Sequence, residues 1–154
     1  GQTLGFAVIA LILPTGWAFY RWVSSLLSLD VPSAFHGAKL GMSVADVRAR
    51  FDVAANGAFH ARPDGEAGWA LDWSAHGSTG PVRGATFEFH EGLLVAIRAV
   101  ATDADAIADR DAMTTTAATV RRVSRRNDRL FDVLILSRGC PAHADEVRRV
   151  LRGS

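Results

Sequence analysis

Only one cysteine, Cys140, occurs in the 154-residue chain, so no internal disulfide can form and the redox compartment leaves no mark on the sequence. Lysine is almost missing as well. Of the 17 Lys and Arg side chains, Lys39 is the sole lysine, which together with abundant Ala and Gly is the bias expected of a GC-rich bacterial genome and says nothing about chemistry. No phosphate-cradling glycine loop, dinucleotide fingerprint or nucleophile elbow is present, which leaves no motif for a nucleotide cofactor or a serine hydrolase. The net charge of +1 gives no bulk attraction to nucleic acid. The sequence therefore predicts no cofactor, no nucleic-acid partner and no small-molecule substrate.

The longest absence of all is local: from Leu4 to Tyr20 no side chain is charged, and the apolar character resumes after Arg21 as far as Leu29. As a helix rising ~1.5 Å per residue this stretch would reach roughly 39 Å, enough for a hydrocarbon core of about 30 Å. It predicts a single transmembrane anchor over residues 1–30, with Leu4, Phe6, Val8, Ile9, Leu11, Ile12, Leu13, Pro14, Trp17, Tyr20 and Trp22 in contact with the bilayer. A secretory signal would carry a basic start and small cleavage residues. Here the aromatics Trp17, Phe19, Tyr20 and Trp22 take that place, as at a membrane interface. Pro14, followed by Thr15 and Gly16, predicts a kink. Since no ionisable group lies between Leu4 and Tyr20, the segment offers no proton or ion path.

After Asp30, Pro32 ends the helix, and residues 31–41 read as a linker. One domain over residues 42–152 is then expected. Ser43 with Asp46 three residues on predicts a helix N-terminus, and Val44, Val47 and Phe51 share one helical face. Residues 56–68, rich in Gly, Pro and Asp, read as a loop. Trp69, Leu71 and Trp73 alternate with Ala70, Asp72 and Ser74, and Ala85, Phe87 and Phe89 alternate with Thr86, Glu88 and His90. Leu93 to Val100 is nearly all apolar after the tight turn Glu91-Gly92, completing a three-stranded antiparallel meander. A short helix is expected from Thr102 to about Met113, then strands over residues 115–124 and 130–138. In the second of these Phe131, Val133 and Ile135 oppose Leu130, Leu134 and Leu136, so both sides need cover. Pro141 opens a final helix bearing Val147, Val150 and Leu151. The predicted fold class is α+β: an N-terminal single transmembrane helix, then a small domain with an antiparallel sheet and helices packed on one face.

The run Gly41-Met42-Ser43-x-x-x-Val47, a loop with Pro63, the strand Trp69 to Trp73 and the run Ala85-Thr86-Phe87-Glu88-Phe89-His90-Glu91-Gly92-Leu93-Leu94 resemble the BamE/SmpA-like domain over about residues 38–101. The resemblance implies a periplasmic, non-enzymatic domain concerned with protein assembly at the envelope. It leaves residues 103–152 unassigned, and the lipid-modified cysteine of the outer-membrane members is replaced here by the apolar segment.

Two clusters hold candidate chemistry. Cys140-Pro141-Ala142-His143 places a thiol at a helix start, three residues before an imidazole that can take a proton or help ligate a metal; the alternative is a buried small thiol beside a cap. Arg121, Arg122, Arg125, Arg126 and Arg129 form a basic cluster around a hairpin tip that can meet lipid headgroups or an acidic partner, or simply be solvated. Trp69 and Trp73 are partner contacts if exposed and core if buried. His36, His60, His76 and His90 share no spacing and read as surface residues. The sequence thus predicts a non-catalytic single-span subunit of the bacterial inner membrane. Its domain would face the periplasm and dock on a larger membrane complex, respiratory or photosynthetic, with that complex's subunits and the bilayer as partners. A BamE-like assembly module is the alternative.

Overall fold

The computed structural model describes residues 33–65, 68–102 and 113–153. Two short strands, β1 (Ala34–Phe35) and β2 (Ala38–Lys39), precede helix α1 (Val44–Arg50). Four strands follow in meander order: β3 (Gly57–Asp64), β4 (Gly68–Ala75), β5 (Val82–His90) and β6 (Leu93–Thr102). Then come β7 (Met113–Thr115), β8 (Thr119–Arg125), β9 (Leu130–Ser137), a 3-10 turn over Pro141–His143 and helix α2 (Ala144–Leu151). The main sheet has seven antiparallel strands in the order β3-β4-β5-β6-β9-β8-β7. After β6 the chain reaches the far edge and returns inward, so that β9 seals against β6.

Period-two alternation divides this sheet into two chemically different faces. Leu71, Trp73, Phe87, Phe89, Ile97, Ala99, Phe131, Val133 and Ile135 form the larger core with Phe35, Val47 and Phe51. Phe51 is its hub, with ring centroids 5.1 Å from Phe87, 5.2 Å from Trp73 and 6.2 Å from Phe59. The Ser43 hydroxyl caps α1 by accepting from the Asp46 N–H at 3.2 Å, as its position in the sequence predicts. On the opposite face a second cluster joins Ala96, Val120, Leu134 and Leu136 to Val147 and Val150 of α2.

Several expectations are corrected. The fold is mainly β, not α+β with helices on one face: α1 has seven residues, α2 has eight, and they lie on opposite faces of the sheet. The two-sided apolar pattern of β9 is the reason, because each of its faces requires a separate cover. Residues 34–39 are no linker. They fold as a β-hairpin whose Phe35 and Ala38 are buried, joined by His36 and Gly37, both at positive φ, the geometry of a two-residue type I′ turn. The loop expected over residues 56–68 contains β3, paired along its length with β4 from Gly57↔Ala75 to Asp64↔Gly68. Pro63 is tolerated because β3 is an edge strand among the described residues.

Placement as a single-pass inner-membrane protein is corrected too: among the described residues no helix is long and apolar enough to cross a membrane. The expected anchor, Leu4 to Leu29, lies outside the described residues, as does most of the helix expected after Thr102.

Candidate functional site

Polar chemistry gathers on the sheet face that carries α2. The alternation that buries Phe87 and Ile97 on one side turns Thr86, Glu88 and Arg98 to the other. Helix α2 packs Val147 and Val150 onto this face, which brings His143 and Glu146 above β5 and β6. Pro141 at the first position of the 3-10 turn fixes the approach, and the Cys140 carbonyl accepts from the His143 N–H at 3.2 Å.

A continuous chain of contacts results. The Cys140 Sγ lies 3.4 Å from His143 Nδ1, and His143 Nε2 lies 2.7 Å from Glu88 Oε2. Arg98 donates from Nε to Glu88 Oε1 at 2.9 Å and from Nη2 to Glu146 Oε2 at 2.6 Å, with Nη1 also on Glu146. One guanidinium therefore engages two carboxylates along two edges, the bidentate geometry for which arginine is suited. The His143 and Glu88 side chains are 11% and 14% exposed, so water competes little for the pair.

Electrostatics follow from this arrangement. Burial would raise the Glu88 carboxyl, but hydrogen bonds from His143 and Arg98 outweigh it and hold it at about 2. The hydrogen bond to Glu88 pushes the His143 imidazole up to about 9 against the opposing effect of burial, and Cys140 adds to the rise. Glu146 is held below its ordinary range by its hydrogen bond to Arg98, whose own value is raised chiefly by Glu146. The imidazolium is thus the prevailing form of His143 at neutral pH, poised between a sulfur and a carboxylate.

Beside this chain the same face opens into a trough of about 590 Å³, lined by Asp72, Thr86, Arg98, Arg122, Asp132 and Glu146 among others. Thr86 donates to Asp72 at 2.7 Å and Arg62 reaches Asp72 at 2.7 Å. Burial acts to raise the Asp72 carboxyl, yet these hydrogen bonds leave it below its ordinary value. Arg126 pairs with Asp132 at 2.7 Å. Half-buried Arg122 has no ion-pair partner among the described residues.

The structure brings together Cys140 and His143, and adds Glu88, Arg98 and Glu146, which sequence reasoning did not single out. The alternation of β5 already sets Glu88 opposite Phe87 and Phe89, and Arg98 is the one charged residue in the apolar run of β6; the face on which α2 lands is not encoded locally. The arginine cluster is dispersed. Arg121 and Arg122 pair with Ile135 and Leu134 and so turn to opposite faces. Arg125 stacks 4.9 Å from the Phe131 ring centre, Arg126 holds Asp132, and Arg129 is exposed at the tip. The tryptophans also separate: Trp73 is 2% exposed in the core and Trp69 is 56% exposed. Among the described residues no three His, Cys, Asp or Glu side chains converge to hold a metal ion, and both His143 nitrogens are already engaged.

No family model, curated protein or solved structure matches the chain. Its own residues carry the functional reading.

Proposed function

We propose that this chain is a non-catalytic binding module that docks on a larger protein assembly and stabilises it. The observation that carries this reading is the trough. Helix α2 shields only the part of the sheet face bearing Ala96, Val120, Leu134 and Leu136, and the remainder is a concave, charge-lined surface on paired strands. Strands hold such groups rigidly, so little ordering entropy opposes binding. The wall contains the acidic groups Asp72, Glu146 and Asp132, already engaged by Arg62, Arg98 and Arg126, and, among the described residues, one cation, Arg122, without an ion-pair partner. That pattern fits a polar segment of a neighbouring subunit with a carboxylate opposite Arg122, since charge complementarity sets register and partner choice.

A photo-crosslinking residue at exposed Ser74, on the trough wall, tests this in the native cell. A docked subunit gives one crosslinked partner in fixed stoichiometry, and Arg122→Glu abolishes the product while leaving the fold intact. Crosslinks indifferent to Arg122→Glu, or none, would reject the reading. A narrower form, an assembly module of the BamE/SmpA-like kind, is favoured by the succession of α1 and an antiparallel meander over residues 44–102; it predicts several clients in substoichiometric amounts.

A further inference from the structure

Cys140 is not part of the trough. It borders a second cleft of about 460 Å³ between the β5–β6 turn, Val95 and the segment Ser137–Pro141. Two features of this cleft are independent of the charged chain described above. The first is its apolar floor: Leu93 is 51% exposed and lies beside Val95 and Pro141. The second is a β-bulge. Glu88 pairs with Ala96 and Phe89 with Leu94, so Val95 has no partner across β5, and it lines the cleft. Bulges re-aim side chains beside functional sites.

Cys140 is a buried residue, 6% exposed, and borders this cleft, which is therefore the side from which it can be approached. The order of groups is that of a nucleophile, an imidazole and an orienting carboxylate: Sγ at 3.4 Å from Nδ1, and Nε2 at 2.7 Å from Glu88. Because each ring nitrogen has one partner, the imidazole cannot turn without losing a contact. Glu88 is in turn fixed by Arg98, and Arg98 by Glu146.

We propose that Cys140 is the covalent acceptor of an acyl group delivered as an acyl thioester, with His143 handling the proton and Glu88 positioning His143. The Cys140 sulfur attacks the acyl carbonyl carbon and forms a new C–S bond. The C–S bond to the incoming thiol's sulfur then breaks, and the proton shared between Sγ and His143 Nδ1 leaves with that sulfur. Products are S-acyl-Cys140 and a free thiol, with no net oxidation or reduction. The apolar floor at Leu93, Val95 and Pro141 receives the acyl chain, a better fit than a charged peptide thiol. The imidazolium character of His143 suits it to protonate a departing thiolate. The thiol and its cleft lie outside the trough, which shares only Arg98 and Glu146 with this chain of contacts, so an adduct on Cys140 and a crosslink at Ser74 report the two readings separately.

The test treats the full chain with the octanoyl and acetyl thioesters of N-acetylcysteamine and follows intact mass. A single octanoyl adduct is expected, removed by neutral hydroxylamine and absent in Cys140→Ser. Glu88→Gln should slow its formation about 100-fold and shift the upper limb of its pH profile from near 9 towards the ordinary histidine range. The groups facing His143 in that profile are Cys140, Glu88 of β5, Arg98 of β6 and Glu146 of α2. Should Glu88→Gln fail to fold, Leu93→Ser at an exposed position keeps the question decidable, because it should slow octanoyl transfer selectively over acetyl. No adduct on folded protein, a rate no greater than that of free cysteine, or reaction with a small aromatic disulfide but not with either thioester would overturn the proposal.

Discussion

Raising the pH should weaken this fold through the contact between His143 and Glu88, in a window set by the imidazole. The folded-state value of His143 is raised to about 9 from 6.5. Its contribution is therefore fully present below about 6.5 and is lost as the pH rises through 9. With each unit equivalent to about 1.4 kcal/mol, and the side chain largely shielded from water, the pairing contributes on the order of 2–3 kcal/mol. Glu88, lowered to about 2 from 4.5, reports the same contact from the other side, so the two shifts are not summed. On the acid side the contribution is present above about 4.5 and disappears as the pH falls through 2. Urea unfolding of the native chain and of His143→Asn at about pH 5.5 and about pH 10 isolates the effect. The stability difference between the two proteins should shrink by about 2 kcal/mol between those conditions. An equal difference at both would show that the 2.7 Å contact contributes no charge-dependent stability.

Gly37 holds a φ of +88°, and a Cβ there would collide with the Arg50 carbonyl oxygen, so Gly37→Ala should cost about 1–3 kcal/mol. Hydrogen exchange should show lost protection at Leu40 and Asp52, whose N–H groups bond to Ser33 and His36. The two tryptophans of β4 should behave oppositely: Trp73→Ala, in the core, should cost about 3–5 kcal/mol, while Trp69→Ala at the surface should stay within about 0.5 kcal/mol. Denaturant midpoints check both, and comparable losses would contradict the burial assigned to each ring.

Much of this fold is settled between neighbouring residues. Ser43 capping α1, the alternation of Trp69 to Trp73 and of Ala85 to Phe89, the turn at Glu91-Gly92, the strand after Leu130 and the helix start at Pro141 were all legible, since caps, turns and pleat periodicity act over a few residues. The same locality made Cys140 and His143 visible as a pair. Tertiary structure alone decided the rest. Residues 57–64 carry Gly, Pro and Asp, and become a strand only because β4 offers a partner along their whole length. Residues 34–39 become a hairpin because Phe35 finds Phe51. The placing of α1 and α2 on opposite faces, and with it the meeting of His143 with Glu88 across 55 positions of chain, depends on where two apolar stripes find cover. Hydrophobic burial rewards a match of surfaces distant in sequence, and no local pattern encodes which surfaces will meet.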